Sequence, residues 1–169
     1  SVWSDFIPMI NENGHVVWEG WDDPHDEIFY WDGSTVTNIS NNPAGWDEFP
    51  QINSSGNAVW DGDEGAGFEI YYWNGSTVTN ISINPAGDDF YSQINDSGHV
   101  VWHGFDGAGT EIYYRNGKNE KITNIANRAG PDYNPQINSN GHVVWEGFNG
   151  TDWEIYYWDG STVTNISSR

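Results

Sequence analysis

The sequence predicts an all-β protein: a β-propeller of four tandem, four-stranded antiparallel blades with essentially no helix. Three observations lead there. The run PMINENGHVVW (residues 8–18) returns as PQINSSGNAVW (50–60), SQINDSGHVVW (92–102) and PQINSNGHVVW (135–145), at spacings of 42, 42 and 43 residues. Each copy alternates Val, Ile and aromatic runs with Gly, Asn, Asp and Pro turns, four runs per copy. No window places apolar residues at helical spacing. A repeat of about 40 to 45 residues with four strands is the period of a propeller blade.

Taken in order, the first copy reads as strands near 8–11, 15–19, 28–31 and 36–39. Asp32-Gly33 and Asn74-Gly75 mark hairpins, because two successive positive-φ positions favour Asn/Asp-Gly. The third strand follows an acid: EIFYWDG from Glu27, EIYYWNG from Glu69, EIYYRNG from Glu111 and EIYYWDG from Glu154. The fourth is TVTNIS from Thr35, Thr77 and Thr162, or KITNIA from Lys121. The extra residue of the third interval is two added in NGKNEKITNI and one removed from the next loop. A single domain over 1–169 follows, with blades at about 1–40, 41–82, 83–125 and 126–169. Each blade is one continuous segment, so no spare strand locks a ring. Four blades closing alone, two chains joining as an eight-bladed ring, and an open polymer are the assemblies this allows.

The stretch NISNNPAGWDEFPQINSSGNAVWDGDEGAGFEIYYWNGSTVTNIS resembles the TolB-like, WD40-like (PD40-type) propeller repeat. The matching positions are Asn42-Pro43-Ala44, Asp47, Pro50, Gly56, Ile70-Tyr71 and Ile81, with their equivalents in the other copies. The family's Ser-Pro-Asp-Gly turn is replaced by Asn-x-x-Gly, and Trp60 arrives one residue early. The resemblance implies scaffolding, protein contact or ligand binding, with no common chemistry.

Composition narrows the function. Twenty-five acids against five bases give a net charge of −20. That balance excludes nucleic acid, which needs Lys and Arg against its phosphates, and anionic membrane surfaces. No stretch approaches the roughly 20 apolar residues of a membrane span, and no basic-plus-apolar leader is present. An extracellular or cell-surface protein in its mature form is the expectation. There is no cysteine. Eleven Trp, nine Tyr and seven Phe, with many Val and Ile, supply the core that an acidic chain needs to fold.

Comparison among the copies separates framework from site. Trp18, Trp60, Trp102 and Trp145 share one position and are expected between blades. Asp5, Asp47, Asp89 and Asp132 precede the first strand and are expected to cap turns through backbone N–H groups, with a central cation site as the sharper reading. Glu27, Glu69, Glu111 and Glu154 are expected to bond neighbouring loops or blades. His15, His99 and His142 align, with Asn57 in the second copy, and read as hydrogen-bonding residues ahead of metal ligands.

Trp31, Trp73 and Trp158 align at the end of the third strand, where Arg115 breaks the series. With Trp21, Trp46 and Trp153, near turns, they are the candidate carbohydrate- or protein-binding aromatics, since such rings stack on sugar faces. Asp61, Asp63 and Glu64 form a candidate calcium site confined to the second blade, although Gly65 and Tyr72 fall where an EF-hand would place further ligands. Asn38, Asn80 and Asn165 head Asn-x-Ser sequons, as Asn53, Asn74 and Asn149 head Asn-x-Ser/Thr sequons, and read as glycosylation acceptors. Arg115, Lys118, Lys121 and Arg128 cluster at the third-to-fourth blade junction, facing an acidic surface of another copy or lying in a solvated loop.

No G-x-S-x-G, H-E-x-x-H, phosphate loop or nucleophilic cysteine is present. The sequence therefore predicts a non-catalytic repeat protein presenting loops for adhesion, carbohydrate or protein binding. Two other readings stand beside it: a subunit of a self-assembling ring or filament, and a hydrolase with carboxylates at a channel mouth.

Overall fold

The structure, a computed structural model, describes residues 4–43, 45–63, 65, 67–85 and 87–169. Its regular elements are sixteen strands in four antiparallel sheets, and no helix occurs among the described residues. Hence no helix there is long and apolar enough to cross a membrane. The first blade is β1 (Asp5–Ile10), β2 (Val16–Asp22), β3 (His25–Trp31) and β4 (Val36–Asn38). The second is β5 (Asp47–Ile52), β6 (Ala58–Asp63), β7 (Phe68–Trp73) and β8 (Val78–Asn80). The third is β9 (Asp89–Ile94), β10 (Val100–Phe105), β11 (Thr110–Arg115) and β12 (Ile122–Asn124). The fourth is β13 (Asp132–Ile137), β14 (Val143–Phe148), β15 (Trp153–Trp158) and β16 (Val163–Asn165). In every sheet the strands lie in chain order, so each blade is one continuous segment. The chain forms two compact units, 1–83 and 84–169, each carrying two blades.

The first strand begins earlier than Pro8 suggests. In each blade it runs through a bulge, at Phe6/Met9, Glu48/Gln51, Phe90/Gln93 and Tyr133/Gln136. One residue of each bulge has positive φ: Ile7 (48°), Phe49 (55°), Tyr91 (56°) and Asn134 (55°). Proline lacks an N–H, so a bulge, where the ladder is already interrupted, accommodates it without ending the strand. The preceding blade takes up the displaced amide. Phe49 N–H donates to Glu19 Oε2 (3.4 Å), and Asn134 N–H to His103 Nδ1 (3.5 Å).

The Asp/Asn-Gly hairpins are longer than the two-residue turns expected. Gly33 and Gly75 alone have positive φ, while Asp32 and Asn74 do not. Instead Asp32 Oδ1 accepts the N–H groups of Ser34 and Thr35, and Asn74 Oδ1 those of Ser76 and Thr77, at 2.8–3.0 Å. The side chain closes a four-residue loop, an Asx turn. These bonds favour the ionised form of Asp32 and of its counterpart Asp159 and lower both pKa values.

Each unit has one core, and it lies between its blades. In the first, Val17, Ile28 and Ile39 meet Ala58, Trp60 and Tyr71. In the second, Val101, Ile112 and Ile125 meet Val143, Trp145 and Tyr156. The tryptophan of one blade therefore packs on the aliphatic face of the blade before it. Its indole is held from its own blade: Trp60 Nε1–H and Trp145 Nε1–H donate to Asp47 Oδ1 and Asp132 Oδ1, both at 2.8 Å, and Trp18 to Asp5 at 3.1 Å. The repeated Asp is thus the first strand residue and an indole acceptor rather than a backbone cap. It stands over a glycine on the paired strand, because a Cβ at Gly62 would lie 2.3 Å from Asp47 Oδ1 and one at Gly147 2.2 Å from Asp132 Oδ1.

The repeated Glu closes the fourth strand onto the third. Ser40 Oγ donates to Glu27 Oε2 (2.5 Å) and accepts from Ile28 N–H (2.9 Å). Ser82 with Glu69, and Ser167 with Glu154, repeat the clamp. In the third blade Ala126 takes the serine's place, and buried Glu111 Oε2 has no hydrogen-bond partner among the described residues. Burial raises the Glu111 pKa, with the nearby Asp132 charge adding to it. Ala126→Ser should supply the missing donor and stabilise the protein by about 1 kcal/mol, seen as a melting temperature roughly 2–4 °C higher. An unchanged or lower melting temperature would refute this role of the hydroxyl.

Candidate functional site

A concavity of the second unit arises from the two-residue insertion of the third blade. The hairpin after β11 is not the Asx loop of the other blades. Asn116 N–H bonds Lys121 O (3.0 Å), Glu120 N–H bonds Asn116 O (2.8 Å), and Glu120 adopts φ 58°. Arg115, where the other blades have Trp, is buried and pairs with Glu120 at 2.9 Å. This longer loop and the β15–β16 hairpin flank a groove of about 450 Å³. Tyr114 and Trp158 supply its apolar wall, edge to face at 4.8 Å. Asn116, Asn119, Asn124, Lys121 and Ser161 supply polar groups, and no carboxylate lines it. On a chain of net charge −20 this is an unusual patch. The first unit offers smaller concavities that do carry acids: one of about 280 Å³ beside Asp22, Asp23 and Glu27, and one of about 150 Å³ beside Asp47 and Trp60.

The six candidate aromatics do not share one surface. Trp73 and Trp158 are half-buried and pack against Tyr30 (4.7 Å) and Tyr114 (4.8 Å) of the blades before them. Trp31, their counterpart in the first blade, is exposed. Trp21 and exposed Trp46 lie 5.9 Å apart, with His25 at 5.8 Å from Trp46. Trp153 is exposed beside Phe148 and Tyr133. Only Trp158 of the six lines the 450 Å³ groove.

The remaining candidates are placed as follows. Asp61 is fully buried in β6, and Asp63 Oδ1 accepts the N–H groups of Gly65 (2.6 Å) and Gly67 (3.4 Å). Glu64 lies outside the described residues. Among the described residues no group of three or more His, Asp or Glu side chains is arranged to hold a metal. Asn38, Asn80 and Asn165 are half-buried, and the side-chain oxygen of each accepts backbone N–H groups in the turn that follows. His15 and His142 bond the hydroxyls of Tyr30 (2.9 Å) and Tyr157 (2.7 Å), while His99 Nδ1 accepts Gly117 N–H (3.0 Å). Arg128 bonds Asp132 and lies 3.7 Å over the Tyr156 ring. Two of the four clustered bases are thus engaged within their own unit.

Sequence reasoning missed two repeated features. Asn11 Nδ2–H donates to Asn53 O, and Asn95 Nδ2–H to Asn138 O, both at 2.9 Å, joining consecutive blades. The signal was an Asn in all four copies where Ser or Asp would also have served the turn. The Ser–Glu clamp was hidden because its serines also complete sequons.

No protein-family model matches the chain, and no curated protein is recognisably similar to it. Solved structures share its fold. A TolB-type protein from Agrobacterium tumefaciens matches at a TM-score of 0.70 and 14% identity, over 92% of this chain and 62% of that one. TolB from Acinetobacter baumannii matches at 0.68 and 13%, over 97% and 43%. The β-propeller domain of the Trilobed protease from Pyrococcus furiosus, described as having an open velcro topology, matches at 0.71 and 16%, over 98% and 52%. The chain spans at most 62% of these proteins. The chain thus has the TolB-like β-propeller fold. The same fold occurs in an acylaminoacyl peptidase from Pyrococcus horikoshii and in a puromycin hydrolase. Fold alone therefore decides nothing about chemistry.

Proposed function

We propose that the chain is a non-catalytic, exported binding protein and that the groove beside Tyr114 and Trp158 takes a carbohydrate. The observation that carries this reading is the lining itself. An aromatic wall suits the apolar face of a sugar ring, and several carboxamides and a hydroxyl suit its OH groups. The lack of lining carboxylates supports binding over glycoside hydrolysis, which needs a pair of them. Lys121 favours sugars that are neutral or carry one acidic group.

A glycan array, followed by calorimetry on the best ligand, tests this. Asn119→Ala and Lys121→Glu should each weaken binding about tenfold while leaving the melting temperature within about 2 °C, because neither side chain belongs to the core. Absence of binding to every neutral and acidic glycan would sink the proposal.

A further inference from the structure

The two blade-to-blade interfaces within the units follow one rule, and one exposed face of the first blade and one of the fourth carry its two unmatched halves. An interface joins the aliphatic face of one blade (Val17, Ile28, Ile39) to the tryptophan face of the next (Ala58, Trp60, Tyr71). The fourth blade has the aliphatic face, but it is uncovered: Ile155 is 39% exposed where Ile28 and Ile112 are 0%, and Ile166 is 58% exposed where Ile39 and Ile125 are 7%. The first blade has the tryptophan face, also uncovered: Ile10 is 71% exposed, Trp31 is exposed, and Trp18 is only half-buried where Trp60 and Trp145 are fully buried.

The polar links are unmatched in the same sense. Asn138 Nδ2 donates to nothing among the described residues, whereas its counterparts Asn11 and Asn95 each donate to the carbonyl of the equivalent Asn one blade on. Asn53 O and Asn138 O accept that donor while also accepting the N–H of Gly56 and Gly141. Asn11 O accepts Gly14 N–H in the same way. It is therefore built for a donor from a preceding blade. Glu146 is exposed, while its counterpart Glu19 takes the bulge amide of the next blade.

From these matched halves we propose that the fourth-blade face of one copy docks on the first-blade face of a second copy, head to tail. The contact would repeat the interface seen within each unit: Trp18 over Ile155 and Ile166, Asn138 Nδ2–H to Asn11 O, and Ile7 N–H to Glu146. A second copy is the occupant because the first blade of this chain already carries every group that the fourth-blade face lacks. A heterologous contact of this kind generates a larger ring if it closes and a filament if it does not.

Sedimentation velocity of the 169-residue chain over a wide concentration range tests this. Species at multiples of 19.0 kDa are expected at high concentration. Ile10→Glu and Ile166→Glu, each at an exposed residue, should each abolish species heavier than 19.0 kDa while near-ultraviolet circular dichroism of the tryptophans is kept. Mixing the two variants should restore a one-to-one dimer, since each keeps one intact face. A wild-type chain that stays at 19.0 kDa at every concentration overturns the proposal. A folded pair of variants that fails to combine overturns the head-to-tail arrangement.

Discussion

Replacing Asp47 with Asn should raise the melting temperature by roughly 10 °C at pH 8 and change it little at pH 4. Asp47 is 1% exposed, and its Oδ2 has no hydrogen-bond partner among the described residues. Burial pushes its pKa up from 3.8 to about 7, and Glu27 adds a repulsive charge; the indole N–H of Trp60 opposes this without offsetting it. The sign follows from proton binding. Below pH 4 the carboxyl is neutral in both folded and unfolded chains. Between pH 4 and 7 the unfolded chain releases the proton while the folded chain keeps it, so stability falls as pH rises. Above pH 7 the loss is complete, on the order of 3–4 kcal/mol. Asparagine keeps the oxygen that accepts the Trp60 indole and removes the charge. The gain from Asp132→Asn at pH 8 should be smaller, because Arg128 already bonds that carboxylate. Thermal melts of the three proteins from pH 4 to 8 decide the matter; parallel curves for wild type and Asp47→Asn would refute it.

The repeat made the architecture legible. Four copies of one pattern fixed the number of blades, the order of their strands and the core positions, because a periodic sequence must place equivalent side chains in equivalent surroundings. The roles of polar residues were harder to read. Asp47 looked like a turn cap because an Asp before a proline-led strand usually is one, yet the bulge at Phe49 carries the strand past Pro50 and turns the carboxylate toward Trp60. Asp61 looked like part of a calcium loop; it occupies the position from which Glu19 and His103 bind the next blade's bulge amide. The candidate groove was invisible for a different reason. The sequence shows that blade three has a longer hairpin, but only the packing of that hairpin beside β15 and β16 brings Asn119 and Lys121 to Trp158.

Truncating Trp60 to Ala should cost about 3–5 kcal/mol, the largest effect expected of any single substitution here, whereas Trp18→Ala should cost about 1. The two residues hold the same place in their blades and stack on equivalent rings, Trp60 on Tyr71 at 6.0 Å and Trp18 on Phe29 at 5.8 Å. They differ in what lies beyond. Trp60 is closed in by Val17, Ile28 and Ile39, so its removal leaves a cavity that those β-branched side chains are too stiff to fill. Trp18 is half-buried, and water replaces much of what is lost. Chemical denaturation at low protein concentration should resolve the difference, and equal losses would contradict it. Trp60→Phe separates packing from the hydrogen bond. It keeps a ring against the aliphatic face but removes the indole N–H, which favours the charged form of Asp47. Its cost should therefore grow from pH 4 to pH 8, where an ionised, buried carboxylate has lost its donor. In the double variant with Asp47→Asn that growth should vanish, because the indole and the carboxylate act on stability as one pair.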